Sequence, residues 1–342
     1  MAEKVASLGG EFGFINLIRS RITDPAGIRG IGDDCAVLPM NSKSDLVVTT
    51  DLLIEDVHFI LDDITAAQLA YKSAAVNLSD IAAMGARPIG CFLSIALPKD
   101  ITAKWADQFI ESFIAICDRF GATLLGGDTT SSKGPLAINV AVLGKVPCGR
   151  SKLRSSAREG DIICCTGTLG DSGAGLDVVL SRVSSAGSTK LDADAEWLVR
   201  RHYEPTPRIQ EGLLLGELEG VHAMMDISDG IASDLNHILK ASSTSSVQLG
   251  ADIHVEQLPL SSKLRRWSAA NGKDANIIAL TAGEDYELLL TMNPKDFDRA
   301  RNRLAPLCSL TAIGEITASH KGIRYMDGDH ELGQKISGFT HF

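Results

Sequence analysis

The sequence predicts an α/β (α+β) protein of two domains, and three observations carry that expectation. Short apolar runs alternate with longer amphipathic ones, the pattern of mixed sheets covered by helices. The chain has 342 residues, about two domains at ~100–200 residues each. A polar stretch containing Pro, Gly and Arg, residues 145–156, interrupts the alternation and divides the chain into 1–148 and 149–342.

In the first half, residues 45–51, 89–97, 123–125 and 136–143 have the length and composition of strands. Residues 65–84 form a helix with Thr65 as N-cap and Gly85 as its stop. Residues 102–120 repeat Trp105, Phe109, Phe113, Ile116 and Phe120 at helical spacing before Gly121. In the second half, strands are expected at 161–165, 222–225 and 286–292, and helices near 174–182, 208–217 and 231–239. Asp327-Gly328 signals a hairpin within 322–329, and the Ser-rich stretches 184–189 and 242–246 read as loops. No short fixed repeat appears, which disfavours solenoids and propellers.

Lys and Arg number 33 against 43 Asp and Glu, a net charge of −10. A general nucleic-acid binder needs a basic face to displace counterions from phosphates, so that class is disfavoured. No stretch approaches the ~18 apolar residues of a membrane span. The N-terminal stretch, interrupted by Glu3 and Glu11, lacks the unbroken apolar core of an export signal. Seven cysteines with no Cys-x-x-Cys pair and no zinc-like spacing fit the cytoplasm. Adjacent Cys164 and Cys165 should point to opposite faces of one strand as buried thiols.

The chemistry concentrates in carboxylates set beside Gly, Ser or Thr: Gly32-Asp33-Asp34, Thr49-Thr50-Asp51, Ser79-Asp80, Gly126-Gly127-Asp128, Asp226-Ile227-Ser228-Asp229-Gly230 and Gly283-Glu284-Asp285. Each alone reads first as a helix cap. Asp51, Asp128 and Asp226 close apolar runs, where α/β sheets open their ligand crevice. If they converge, an all-oxygen set without His or Cys favours Mg²⁺, and Mg²⁺ suggests phosphates. Asn77 and Asp80, three apart, share one helical face. Gly126-Gly127 and Ser228-Asp229-Gly230 read as phosphate-approaching turns. No P-loop, dinucleotide fingerprint or protein-kinase motif occurs, so a nucleotide would be held mainly through metals.

Eight segments resemble the thiamine-monophosphate kinase family in order, spacing and wording: GIGDDCAVL (30–38), TTDLLIEDVHF (49–59), AYKSAAVNLSDIAAMGARP (70–88), GGDTT (126–130), TGTLGDSGAGL (166–176), DISDGIASDLNHI (226–238), GEDYELLLT (283–291) and GFTHF (338–342). That family belongs with the aminoimidazole ribonucleotide synthetase-like ATP-binding enzymes. The resemblance implies an N-terminal mixed sheet that dimerises, a C-terminal α/β domain, and ATP in a groove between them. It implies that Asp34, Thr49, Asp51, Asp80, Asp128, Asp226 and Asp229 ligate Mg²⁺, joined by Thr50 through its backbone. Gly127, Asp128, Arg150 and Ser228 would meet ATP, and His58, Glu284 and Phe339 the acceptor, thiamine monophosphate. Asp33 is less secure as a ligand, since two adjacent residues rarely point at one centre. Ala282 stands where the family more usually has a glycine, a change in backbone freedom and not in charge.

The implied reaction passes the ATP γ-phosphoryl group to thiamine monophosphate, giving thiamine diphosphate and ADP. A phosphomonoester with second pKa near ~6 is already mostly dianionic, so no general base and no covalent residue is expected. Glu284 suits the cationic thiazolium and Phe339 the flat rings. Sister enzymes of the superfamily remain the alternative: aminoimidazole ribonucleotide synthetase, selenophosphate synthetase or the hydrogenase-maturation type. A non-catalytic metal- or nucleotide-binding protein would explain the acids but not the glycine turns beside them.

Overall fold

The computed structural model describes residues 10–184, 190–333, 336 and 338. A first helix, α1 (Gly10–Arg19), precedes a five-stranded sheet made of β1 (Ala36–Asn41), β2 (Ser44–Ile54), β3 (Arg87–Leu97), β4 (Thr123–Ser131) and β5 (Ala137–Pro147). The spatial order is β1-β2-β5-β3-β4, with β3 and β4 parallel and the other neighbours antiparallel.

Two helices interleave these strands, α2 (Ala66–Ala83) and α3 (Ala103–Phe120), and both lie where the sequence places them. Thr65 and Gln68 form a reciprocal capping box, and Thr102 accepts from the Trp105 amide. Gly121 ends α3 with φ 77°, a left-handed conformation that glycine adopts without strain. The aromatic stripe of α3 stacks on itself, Trp105 on Phe109 and Phe109 on Phe113, and buries Phe109 and Phe113 against α2.

A helix that is apolar almost all round must be covered on every side. The Ala-rich α2 is covered in this way. One side lies on β2 and β5, and the other meets α6 (Ile209–Gly216) and β7 (Val221–Asp226) of the second half. The approach is close: a Cβ on Gly212 would stand 2.2 Å from the Ala82 carbonyl oxygen. Thus α2 brings the two halves of the chain together, and the acids they carry with them.

The second half adds β6 (Ile162–Thr166), α4 (Asp171–Ser184), α5 (Ala193–Tyr203), α7 (Ile231–Ser242), β8 (Gly250–His254), α8 (Ser262–Ala270), α9 (Ala275–Thr281), β9 (Leu288–Met292), α10 (Phe297–Leu304), β10 (Leu310–Thr317), β11 (Gly322–Asp327) and β12 (His330–Glu331). Its seven strands are ordered β12-β11-β8-β10-β6-β9-β7, with only β8 and β11 parallel. Cys164 and Cys165 are both buried and belong to different hydrophobic clusters, one on each face of β6. The expected hairpin forms, with Asp327 paired to His330. Of the expected loop 184–189, residues 185–189 lie outside the described residues.

Three local expectations are corrected. Gly126-Gly127 is not a turn: β4 runs through it to Ser131, and Gly127 (φ 151°) lies so close to β3 that a Cβ would stand 1.7 Å from the Leu93 carbonyl oxygen. Asp51 and Asp128 therefore lie within strands, and only Asp226 closes one. The strand expected from residue 286 begins at Leu288 instead, because Glu284 (φ 63°) and Tyr286 (φ 51°) are left-handed and break the extended chain.

Candidate active site

On β2 the alternation of side chains turns Thr49 and Asp51 toward α2 and Thr50 to the opposite face, where its hydroxyl accepts from Asn139 at 2.8 Å. On α2, Asn77 and Asp80 face β2 one turn apart. The Thr49 hydroxyl donates to Asp80, and the Asp51 amide donates to the Asn77 side-chain oxygen at 2.9 Å. Asp34 arrives from the segment before β1 and Asp226 from the end of β7. One carboxylate oxygen each of Asp34, Asp80 and Asp226 lies within 4.8 Å of the others.

These acids repel one another in a desolvated place. Burial, then the Asp34 charge, raises Asp51 to about 6 and Asp226 to about 8. Burial with the charges of Asp51, Asp226 and Asp34 drives Asp80 well up. Arg154 answers part of this charge by pairing with Asp34 and by donating its amide to Asp33 at 2.7 Å. Asp34 Oδ2 nevertheless remains buried without a hydrogen-bond partner. A hard divalent cation fits this donor set: several anionic oxygens, one of them orphaned, and neither His nor Cys as a ligand.

Beside the cluster opens a cavity of about 620 Å³. Asp51, Asp80, Asp226, Ser228 and Asp229 line it together with His58 and Glu284, and Leu176, Leu180 and Ile278 supply apolar wall. His58 takes the Ile54 amide on Nδ1 at 3.0 Å. The stretch 283–287 distributes its charges with a division of labour. Glu284 faces the cavity. Asp285 turns inward and accepts from the Gly170 and Ser172 amides at the start of α4, at 2.6 and 3.2 Å. Glu287 is wholly buried between Arg201 and Arg208.

Asp34, Thr49, Asp51, Asp80 and Asp226 are thus brought together, with Ser228, Asp229, His58 and Glu284 on the adjoining cavity. Three expected residues stand apart. Gly127 and Asp128 are exposed on edge strand β4, three strand positions from β2, or roughly 14 Å at ~4.8 Å per strand. Arg150 is exposed and pairs with Glu219 at 3.3 Å. Phe339 lies outside the described residues, next to Gly338, where a Cβ would stand 2.7 Å from the Ser233 Cβ at the start of α7. Sequence reasoning missed Arg154, Lys72 and His202. Lys72 did carry a signal: it is the lone cation of the Ala-rich α2.

The fold and this acid cluster define an AIR synthase related protein. The N-terminal domain model of that family matches residues 32–146 and the C-terminal domain model residues 158–327. The thiamine-monophosphate kinase of Escherichia coli strain K12 is 40% identical over 316 residues, covering 92% of this chain and 91% of that protein. The Bacillus subtilis strain 168 protein of the same name is 32% identical over 335 residues, covering 97% and 99%. Among solved structures, AaThiL complexed with AMPPCP and TMP superposes with a TM-score of 0.84 at 31% identity, over 100% of both chains. The chain belongs to the thiamine-monophosphate kinase family.

Proposed function

We propose that the chain transfers the γ-phosphoryl group of ATP to the phosphate of thiamine monophosphate, releasing thiamine diphosphate and ADP, by direct in-line displacement. The observation that carries this reading is the buried cluster of Asp34, Asp80 and Asp226, with its orphaned oxygen, beside a cavity large enough for a small organic acceptor. Asp34, Thr49, Asp51, Asp80, Asp226 and Asp229 would hold Mg²⁺, with Thr50 contributing its backbone. Bound there, Mg²⁺ neutralises the charge of the two phosphates and lowers their mutual repulsion. The chain's own residues set the geometry: Thr49 orients Asp80, Asn77 fixes the Asp51 backbone, and Arg154 holds Asp34 in place. No side chain acts as base, because the acceptor phosphate is already dianionic.

Ser228 and Arg150 are proposed to meet ATP. Support for Arg150 comes from its neighbours: Gly149 and Ser151 line a second cavity with Arg19, Arg29 and Asp33, which borders the acid cluster through Asp33. Gly127 and Asp128 are proposed to meet the nucleotide and its metal from the β4 edge. His58, Glu284 and Phe339 meet the acceptor. The division into domains 1–148 and 149–342 is supported by the helix-poor connector between β5 and β6. A homodimer through the N-terminal sheet is supported by the exposed Leu52, Phe92 and Leu125 on the sheet face away from α2. Cytoplasmic residence is supported by seven cysteines that form no disulfide, and no described helix is long and apolar enough to cross a membrane.

The test is turnover with chromatographic detection of thiamine diphosphate, using ATP and either thiamine monophosphate or thiamine, with Mg²⁺ or with chelator. Product from the monophosphate alone, and only with Mg²⁺, is the expected result. Product from thiamine, or product in chelator, overturns the reading.

A further inference from the structure

Lys72 lies in the middle of α2 and is fully buried. Its ammonium reaches both carboxylate oxygens of Glu284 at 3.0 Å and the His58 carbonyl oxygen at 3.3 Å. His202 of α5 closes the group. Its Nε2 stands 3.5 Å from the Lys72 ammonium, which can only donate, so Nε2 accepts and Nδ1 bears the proton. Nδ1 faces Glu284 Oε2 at 3.2 Å and the Ser172 hydroxyl at 3.0 Å. The imidazole is neutral, because burial and the Lys72 charge lower its pKa to about 3. The backbone is fixed as well: Glu284 is left-handed at φ 63°, and its amide donates to the Ser228 carbonyl at 2.8 Å.

A carboxylate facing a cavity is ordinarily read as a counter-ion for a cationic ligand. Here its single negative charge already has a single positive partner at 3.0 Å, a wholly buried ammonium behind a carboxylate that meets water only on its cavity side. The pair presents little net charge to the cavity. It still presents unused lone pairs, since a carboxylate has about four acceptor sites and its protein partners leave some of them open.

We infer that Glu284 selects the acceptor by accepting hydrogen bonds from the N–H donors of a flat aromatic amine, the aminopyrimidine end of the substrate, and does not balance the positive ring. Lys72 is the positioning residue that makes this so, by cancelling the carboxylate's charge and fixing its plane. The inference rests on the acceptor assigned above and replaces the expectation that Glu284 attracts the thiazolium.

The experiment compares kcat and KM of the full chain for three acceptors: thiamine monophosphate, its 4′-oxo analogue, which replaces the amino group by a carbonyl, and an isosteric analogue with a neutral thiophene in place of the thiazolium. Turnover of thiamine monophosphate itself tests the acceptor assignment, and the ratios among the three test the role of Glu284. We expect kcat/KM to fall about 100-fold for the 4′-oxo compound, because a site built to bond a donor rejects an analogue lacking it. The neutral-ring compound should stay within about threefold. A loss of tenfold or more on the neutral ring, with the 4′-oxo compound well used, overturns the inference. In Lys72→Met the charge is no longer cancelled, so the KM ratio of neutral to cationic ring should rise about tenfold, and Lys72→Arg should keep the wild-type ratio. An unchanged ratio in folded Lys72→Met overturns the role of Lys72. If that variant fails to fold, the wild-type ratios decide the matter alone.

Discussion

Glu287 and Asp226 are close neighbours: Glu287 precedes β9, Asp226 ends β7, and the Ile227 amide donates to the Glu287 carbonyl at 2.8 Å. Both side chains are buried, yet their surroundings differ completely. Glu287 accepts from Arg208 at 2.6 Å on each oxygen, from Arg201 at 3.1 Å and from the Thr166 hydroxyl at 2.7 Å. Asp226 lies with Asp34, Asp51 and Asp80, and burial with the Asp34 and Asp51 charges raises it to about 8. One acid has more cationic donors than it needs; the other lacks them. The contrast separates a carboxylate that holds the fold together from one that makes the fold less stable until something positive arrives.

The largest effect that breaks this comparison is on catalysis. Asp226→Asn should lower turnover roughly 10³-fold, the scale of losing a main electrostatic element of a transition state. The same change should raise the melting temperature of the metal-free protein, because it removes a repelled charge. The sign follows from linkage. A folded pKa near 8 against ~3.9 unfolded gives a stability contribution that is present below pH ~4 and lost as pH rises through about 8. At pH 8 wild type should therefore gain thermal stability from Mg²⁺, and Asp226→Asn should gain much less. A thermal melt with and without Mg²⁺ reads this without any assay of activity, and equal Mg²⁺ shifts in the two proteins would remove Asp226 from the proposed metal site. Glu287→Gln is the counterpart and comes second. It leaves the Arg201 guanidinium without its carboxylate and Arg208 with Glu211 alone, and denaturant titration should show a loss of about 3 kcal/mol. A loss below about 1 kcal/mol would mean that the two acids do not differ as described.

The sequence made one side of this contrast visible and hid the other. Asp34, Asp51, Asp80 and Asp226 stand beside Gly, Ser or Thr in recurring small motifs, and the period of α2 puts Asn77 and Asp80 on one face. Both cues are local, and local cues survive in a linear reading. What stayed hidden depended on distance in three dimensions. Asp128 has the same local setting as Asp51, but the strand order leaves β5 and β3 between them. Gly126-Gly127 looks like a turn until the close approach of β3 shows why glycine is needed inside a strand. Lys72, Arg154 and His202 are single residues without a repeating pattern. His202 follows Arg200 and Arg201 in the last turn of α5, and its side chain is buried against α2.

His202 also provides the smallest effect and sharpens the comparison from the acid side. Its pKa is lowered to about 3 in the folded chain, by burial first and the Lys72 charge second, against ~6.5 when unfolded. A depressed histidine favours the fold only while it is neutral, so this contribution is fully present above pH ~6.5 and is lost as pH falls toward 3. His237, lowered to about 4 mainly by burial, acts in the same direction. At pH 5.5 the unfolded chain binds nearly one proton more at position 202, which corresponds to a loss on the order of 1 kcal/mol. The metal-free protein is thus pulled from both sides, by its acid cluster as pH rises toward 8 and by these histidines as it falls below 6.5. Denaturant titrations at pH 7.5 and 5.5 should show His202→Gln losing about 1 kcal/mol less than wild type between the two. Equal losses would mean that position 202 does not gain a proton on unfolding, and the neutral imidazole beside Lys72 and Glu284 would have to be given up.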